Sequence, residues 1–92
     1  MEQLNHYFYV LECNDGSYYA GYSNNVDQRL KKHNEGKGAK YTRAKKPVEL
    51  LYSKAYHTKS EALKMECYFK KLSRKNKEIY LTAEKEKEGE CG

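Results

Sequence analysis

The chain predicts a small α+β domain, a three-stranded antiparallel sheet flanked by helices in the order strand, strand, helix, strand, helix, helix. Three features carry that expectation. An aromatic, β-branched stretch turns at Asn14-Asp15-Gly16 and returns as a second aromatic stretch; two later segments place apolar residues at helical spacing behind capping residues; and a short apolar run between them has the length of a strand.

The opening stretch "HYFYVLEC", His6 to Cys13, and "SYYAGY", Ser17 to Tyr22, form a hairpin about "NDG". Two registers are open. A two-residue loop, Asp15-Gly16, pairs Asn14 with Ser17 and puts Tyr9 and Tyr19 on opposite faces. A three-residue loop with Gly16 left-handed pairs Cys13 with Ser17, sets Leu11 against Tyr19 and Tyr9 against Gly21, and brings both hydroxyls to one face. "SNNVDQRLKKHNEGKG" is a helix: Asn24 or Asn25 caps it, Asp27 suits its first turn, Lys31 and Lys32 its last, and Gly36 ends it. Arg29 and His33 fall within about 60° of Val26 on the helical wheel, so both belong to the core side rather than to the solvent side where a helical Arg usually sits.

From Gly36 to Pro47 the chain has no acid, and Lys37, Lys40, Arg43, Lys45 and Lys46 surround Tyr41. "VELLYSKAY" follows as a third strand of about eight residues. Thr58-x-x-Glu61 is a capping box that opens a second helix, where Ala62, Met65, Phe69 and Leu72 make an apolar stripe and Glu66 flanks it. A shorter third helix from about Lys75 to Ala83 has Ile79 as its anchor. Residues 1–83 are thus a single domain, and residues 84–92 are expected to be a disordered charged tail.

Composition narrows the function. At 92 residues the core is modest, and ten of the twelve Tyr and Phe residues are tyrosines, so a core of Leu and Val is not expected. The formal charge is +5, but the first 79 residues hold 16 of the 18 Lys and Arg against 9 of the 13 acids. A basic domain with an acidic end points to a polyanionic partner, nucleic acid before an anionic membrane surface. Cys13, Cys67 and Cys91 cannot all pair and have no metal-ligand spacing, and no signal peptide or long apolar run is present. Reduced thiols and a cytoplasmic location are expected, with Cys67 serving packing.

Hydrolysis of a phosphodiester needs an oriented water, a proton acceptor, cationic stabilisation of transition-state charge and help for the leaving oxygen. Tyr9, Tyr19, Arg29, His33 and Glu66 could supply these. Each also has a plainer explanation: half-buried sheet tyrosines, an Arg stem laid on apolar surface, a His at a helix C-terminus, a Glu paired with a neighbouring Lys. Their conjunction is harder to explain that way.

The segments "YFYVLEC", "SYYAGY", "VDQRLKKH", "GKGAKYTR" and "SEALKMECYFKKLS" closely resemble, in order and over about residues 5 to 80, the GIY-YIG nuclease superfamily and its small stand-alone bacterial members. The resemblance implies that Tyr7-Phe8-Tyr9 and Tyr19-Ala20-Gly21 stand for the two signature triplets, whose tyrosines face one active site; that favours the three-residue hairpin loop. Tyr7 stands where the family name has Gly. The resemblance further implies that Arg29 is the catalytic arginine, that Glu66 binds a divalent metal, Mg²⁺ or Mn²⁺, and that His33 and Tyr41 occupy polar active-site positions. Asn76 is the nearest counterpart of an Asn that larger relatives carry. The implied activity is metal-dependent endonucleolytic hydrolysis, of DNA before RNA. Lys37, Lys40, Tyr41, Arg43, Lys45, Lys46, Lys70, Lys71 and Arg74 are the expected nucleic-acid contacts, which give affinity without sequence choice. Two alternatives stand beside this: a non-catalytic nucleic-acid-binding module, and a nuclease subunit active only with a protein partner.

Overall fold

The computed structural model describes residues 4–37 and 44–90, the side chains of 85–90 excepted. Its elements are β1 (His6–Glu12), β2 (Tyr18–Ser23), α1 (Val26–Asn34), β3 (Glu49–Tyr56), α2 (Lys59–Lys70) and α3 (Arg74–Glu90). The strands form one antiparallel sheet in the order β2-β1-β3. This is the expected α+β architecture.

The hairpin takes the longer loop. Leu11 pairs with Tyr19 and Tyr9 with Gly21, Cys13 N–H donates to Ser17 O (2.8 Å), and Gly16 has φ +85°, where a side chain would be strained. Asp15 fixes the turn by accepting from the Ser17 N–H (3.0 Å) and hydroxyl (2.6 Å), bonds that hold its carboxyl down to about 2.

As the central strand, β1 is buried on both faces, and alternation divides its side chains between two clusters. Phe8 and Val10 pack with Ala20, Tyr52, Phe69 and Leu81, on the side covered by α2 and α3. Tyr9, Leu11 and Cys13 pack with Val48, Tyr19, Val26 and Leu30, on the side of α1. Opposite Val10 and Leu11, β3 carries an irregularity that skips Leu51.

The helix ends follow their caps. Asn25 Oδ1 accepts from Gln28 N–H (3.1 Å) and Thr58 Oγ1 from Glu61 N–H (3.2 Å). Gly36, at φ +80°, ends α1 in a turn closed by Lys37 N–H on Lys32 O (2.9 Å). Beyond its cap, Asn34 holds α1 to the segment entering β3: its Oδ1 accepts from Val48 N–H (2.7 Å) and its Nδ2 donates to Val48 O (3.1 Å).

Three expectations are corrected. Ile79 is 56% exposed and anchors nothing, whereas Tyr80 and Leu81 pack on the Phe8 cluster. Where the sequence ends the third helix at Ala83, α3 runs on to Glu90; its last turns are rich in Glu and Lys, strong helix formers. Cys67 is exposed on α2 and packs against nothing in the core, while Cys13 is buried.

Candidate active site

Because β2 is an edge strand, α1 on one face and α2 on the other can meet around it. An open cavity of about 640 Å³ lies there. It is lined by Tyr9, Tyr19, Gly21 and Tyr22 of the sheet, Arg29 and His33 of α1, Lys37 just beyond it, and Lys59, Leu63 and Glu66 of α2. All five residues read from the sequence as catalytic border this one space.

The imidazole is its centre. His33 is 1% exposed, its ring lying edge-on to Tyr9 and Tyr19 with centroids 6.3 and 5.3 Å away. Tyr9 Oη hydrogen-bonds His33 Nε2 at 3.3 Å. Both groups stay neutral near pH 7: burial, then the Arg29 charge, pushes His33 below its ordinary range, and burial, with Tyr19 and Glu66 adding, raises the Tyr9 phenol well above its own against the pull of Arg29. Gly21 makes room for this arrangement. A Cβ there would lie 2.5 Å from Tyr9 Oη and 2.7 Å from its Cζ, so the triplet glycine accommodates the ring of its cross-strand partner.

Arg29 sits one turn before His33 but is exposed, not buried as the helical wheel implies, and it lines the cavity. From the opposite side Glu66, whose side chain is 20% exposed, accepts from Lys70 Nζ at 2.7 Å. The plainer reading of that Glu, a pair with a neighbouring Lys, is therefore also true of it.

The expected nucleic-acid contacts divide. Lys37 borders the cavity, and Lys70 and Lys71 are exposed at the end of α2. Lys45 pairs with Asp15 (3.2 Å) in the hairpin turn, and Lys46 is exposed beside it. Arg74 fastens α3 to the hairpin, stacking 4.0 Å from the Tyr18 ring centroid and donating to Gly16 O (2.8 Å). Lys40, Tyr41 and Arg43 lie outside the described residues. Ser73 caps the start of α3, its Oγ accepting from the Asn76 N–H (3.2 Å), and Asn76 does not line the cavity.

Sequence reasoning missed Tyr22 and Lys59. Tyr22 stacks on His6, accepts or donates a hydrogen bond at its Nδ1 (2.7 Å), and lies under the Lys59 ammonium, 5.5 Å from the ring centroid. Strand alternation puts Tyr22 on the face opposite Tyr19. It reaches the cavity because that cavity wraps the sheet edge, and the sequence does not say which strand is the edge.

Phenols, imidazole, guanidinium and one carboxylate thus gather at the edge of a three-stranded sheet, and the family match makes this a nuclease-type domain. The chain belongs to the GIY-YIG catalytic domain family, whose model matches residues 5–79. It is 64% identical over 89 residues to a UPF0213 protein of Bacillus licheniformis, covering 97% of this chain and 91% of that protein. The UPF0213 protein YazA of Bacillus subtilis is 56% identical over 81 residues, covering 88% and 82%. Two solution NMR structures are similar: the protein EF2693 from E. faecalis (52% identity, TM-score 0.61, 90% of each chain), and the UPF0213 protein BH0048 from Bacillus halodurans (50% identity, TM-score 0.58, 85% of this chain and 83% of that one).

Proposed function

We propose that the protein is a metal-dependent endonuclease that hydrolyses phosphodiester bonds of nucleic acid, DNA before RNA. The observation that supports this reading is the convergence of Tyr9, Tyr19, Arg29, His33 and Glu66 on one open cavity.

Among the described residues no cluster of three or more His, Cys, Asp or Glu forms a metal cage. A lone cavity-lining carboxylate nevertheless suits Mg²⁺, which commonly takes one or two carboxylates and completes its shell with water and substrate phosphate. Glu66 would hold the ion, exchanging its present Lys70 partner for it. When bound, Mg²⁺ or Mn²⁺ supplies positive charge to the phosphate and the leaving oxygen.

The remaining roles fall to the chain itself. Arg29, an exposed planar cation lining the cavity, is suited to bind two phosphoryl oxygens at once and to stabilise their growing charge. Tyr9, held as a neutral phenol, orients the attacking water with its oxygen. Its own proton can pass to His33 Nε2 as the water proton reaches the phenol, provided Nδ1 carries the imidazole proton. This relay leaves no phenolate in the buried site, which burial disfavours. Tyr19 packs against the His33 ring and brings a second phenol to the cavity lining.

The test is cleavage of labelled single-stranded, duplex, flap and branched DNA and RNA with Mg²⁺ or Mn²⁺, beside Glu66→Ala and Arg29→Ala. Metal-dependent cutting lost at least about 100-fold in both variants is the expected result. A wild-type protein that binds these substrates and cuts none overturns the reading in favour of a binding module.

A further inference from the structure

A second cavity, of about 340 Å³, lies beside the first and has no part in the hydrolysis just described. Tyr18, Tyr19, Ala20, Phe69, Lys70 and Lys77 line it, so two tyrosine rings and two ammonium groups border one space floored by the buried Phe69, and among the described residues no acid does. The two cavities share a wall. Tyr19 borders both, and the Glu66–Lys70 ion pair stands between them, with Glu66 on the first cavity and Lys70 on the second.

The rings are held in place. Arg74 covers the Tyr18 ring and is itself tied to Gly16 O; Phe69 is 1% exposed in the core. The cations are long side chains poised over aromatic faces, Lys70 Nζ 6.0 Å from the Tyr19 centroid and Lys77 Nζ 5.6 Å from that of Phe69. Such a cation can swing away when a better anion arrives, since an ammonium over a ring is a weak contact where water has access.

We propose that this cavity is a subsite for an unpaired nucleobase of the strand whose phosphate occupies the first cavity, its flanking phosphates neutralised by Lys70 and Lys77. The proposal rests on the nuclease reading, from which it takes the neighbouring cavity as the phosphate site. Aromatic walls accept the π-face of any base, and ammonium groups beside them accept the phosphates, the combination that holds single strands without sequence preference. A base inside a duplex stack must leave it to enter. The subsite therefore favours single strands, frayed ends and flaps.

The experiment measures binding in EDTA, where no cleavage interferes, using a labelled thymidine hexamer, a hexamer of abasic deoxyribose phosphates with the same charge, and thymidine 5′-monophosphate. The thymidine hexamer should bind about ten-fold tighter than the abasic one, a modest share of the usual gain from base–aromatic stacking, and should shift the NMR amide signals of Tyr18, Ala20 and Lys77. Lys77→Glu should weaken the thymidine hexamer about ten-fold, whereas Lys64→Glu, an equal charge change on the exposed side of α2, should weaken it about two-fold, as a distant surface charge does. Equal binding of the two hexamers, or equal losses in the two variants, overturns the subsite while leaving the nuclease reading standing. Mononucleotide binding as tight as the hexamer overturns the assignment to a strand. Failure of both hexamers to bind overturns the subsite, while the metal-dependent cleavage panel decides the nuclease reading separately.

Discussion

Replacing Gly21 by Ala adds one methyl group at the point where the two triplets meet. That carbon would lie 2.5 Å from Tyr9 Oη, 2.7 Å from Cζ and 3.1 Å from Cε2, against an ordinary carbon contact of about 3.5–4.0 Å. The ring has nowhere to go: Tyr9 is 2% exposed, and its hydroxyl is bonded to His33. Overpacking of this kind costs about 1–3 kcal/mol, partly offset by about 0.4–1 kcal/mol from the smaller unfolded-state entropy of Ala. The net expectation is a loss of about 1–2 kcal/mol, or a Tm about 5–15 °C lower for a domain of this size. If the phenol yields by even about 1 Å, the water it orients is misplaced and cleavage should fall about 100-fold. Urea denaturation and single-turnover cleavage report the two effects. In a Tyr9→Leu background no ring stands over residue 21, and the same Gly→Ala change should cost under about 0.5 kcal/mol. An equal cost in both backgrounds, or a stable and fully active Gly21→Ala protein, would refute the idea that the glycine exists to seat the Tyr9 ring.

Other expectations concern the supports of the same site. Asn34→Ala leaves the Val48 N–H and C=O without the side chain that satisfies both, and denaturant titration should show a loss of about 2–4 kcal/mol, with cleavage falling as α1 loosens from β3. His33 has a folded-state pKa below its ordinary 6.5, so the unfolded chain binds the proton more readily. Its contribution to stability is complete above about 6.5 and is lost as pH falls from there through the folded value. Denaturation midpoints between pH 8 and pH 5 should thus decline more steeply for wild type than for His33→Gln, and identical slopes would show that burial does not hold this imidazole neutral. Lys70→Ala removes the Glu66 partner; if it also neutralises a substrate phosphate, the slope of log K against log salt should shrink by about one, and an unchanged slope would place Lys70 away from the strand.

Much of the fold was legible because its signals are local. The cap at Asn24 or Asn25, the Thr58 cap, the Gly36 stop and the apolar period of α2 depend on a few adjacent residues, and the structure places them where the sequence does, with Asn25 as the cap of α1. The hairpin register was legible only in part. Backbone preference allowed two loops one residue apart, and the family resemblance, through the need for both triplet tyrosines to share a face, selected the one observed. Ile79 misled because a short helix with apolar residues at 79, 80 and 81 has several possible inward faces, and contact with Phe69 and Tyr52 selects Tyr80 and Leu81.

By itself the sequence determined which groups the protein has for chemistry and which segments carry them: two aromatic triplets on a hairpin, Arg29 and His33 one turn apart, Glu66 on a later helix. Tertiary structure decided their environments. Arg29 and His33 are neighbours on one helix, yet one is exposed and the other 1% exposed, since a residue at the border of an apolar stripe turns in or out with the tilt of the helix on its sheet. Tyr22, on the face that alternation sets opposite Tyr19, enters the same cavity because β2 ends the sheet and the space wraps around it. Periodicity and spacing describe a chain relative to itself; an edge, a tilt and a shared wall exist only between elements distant along it.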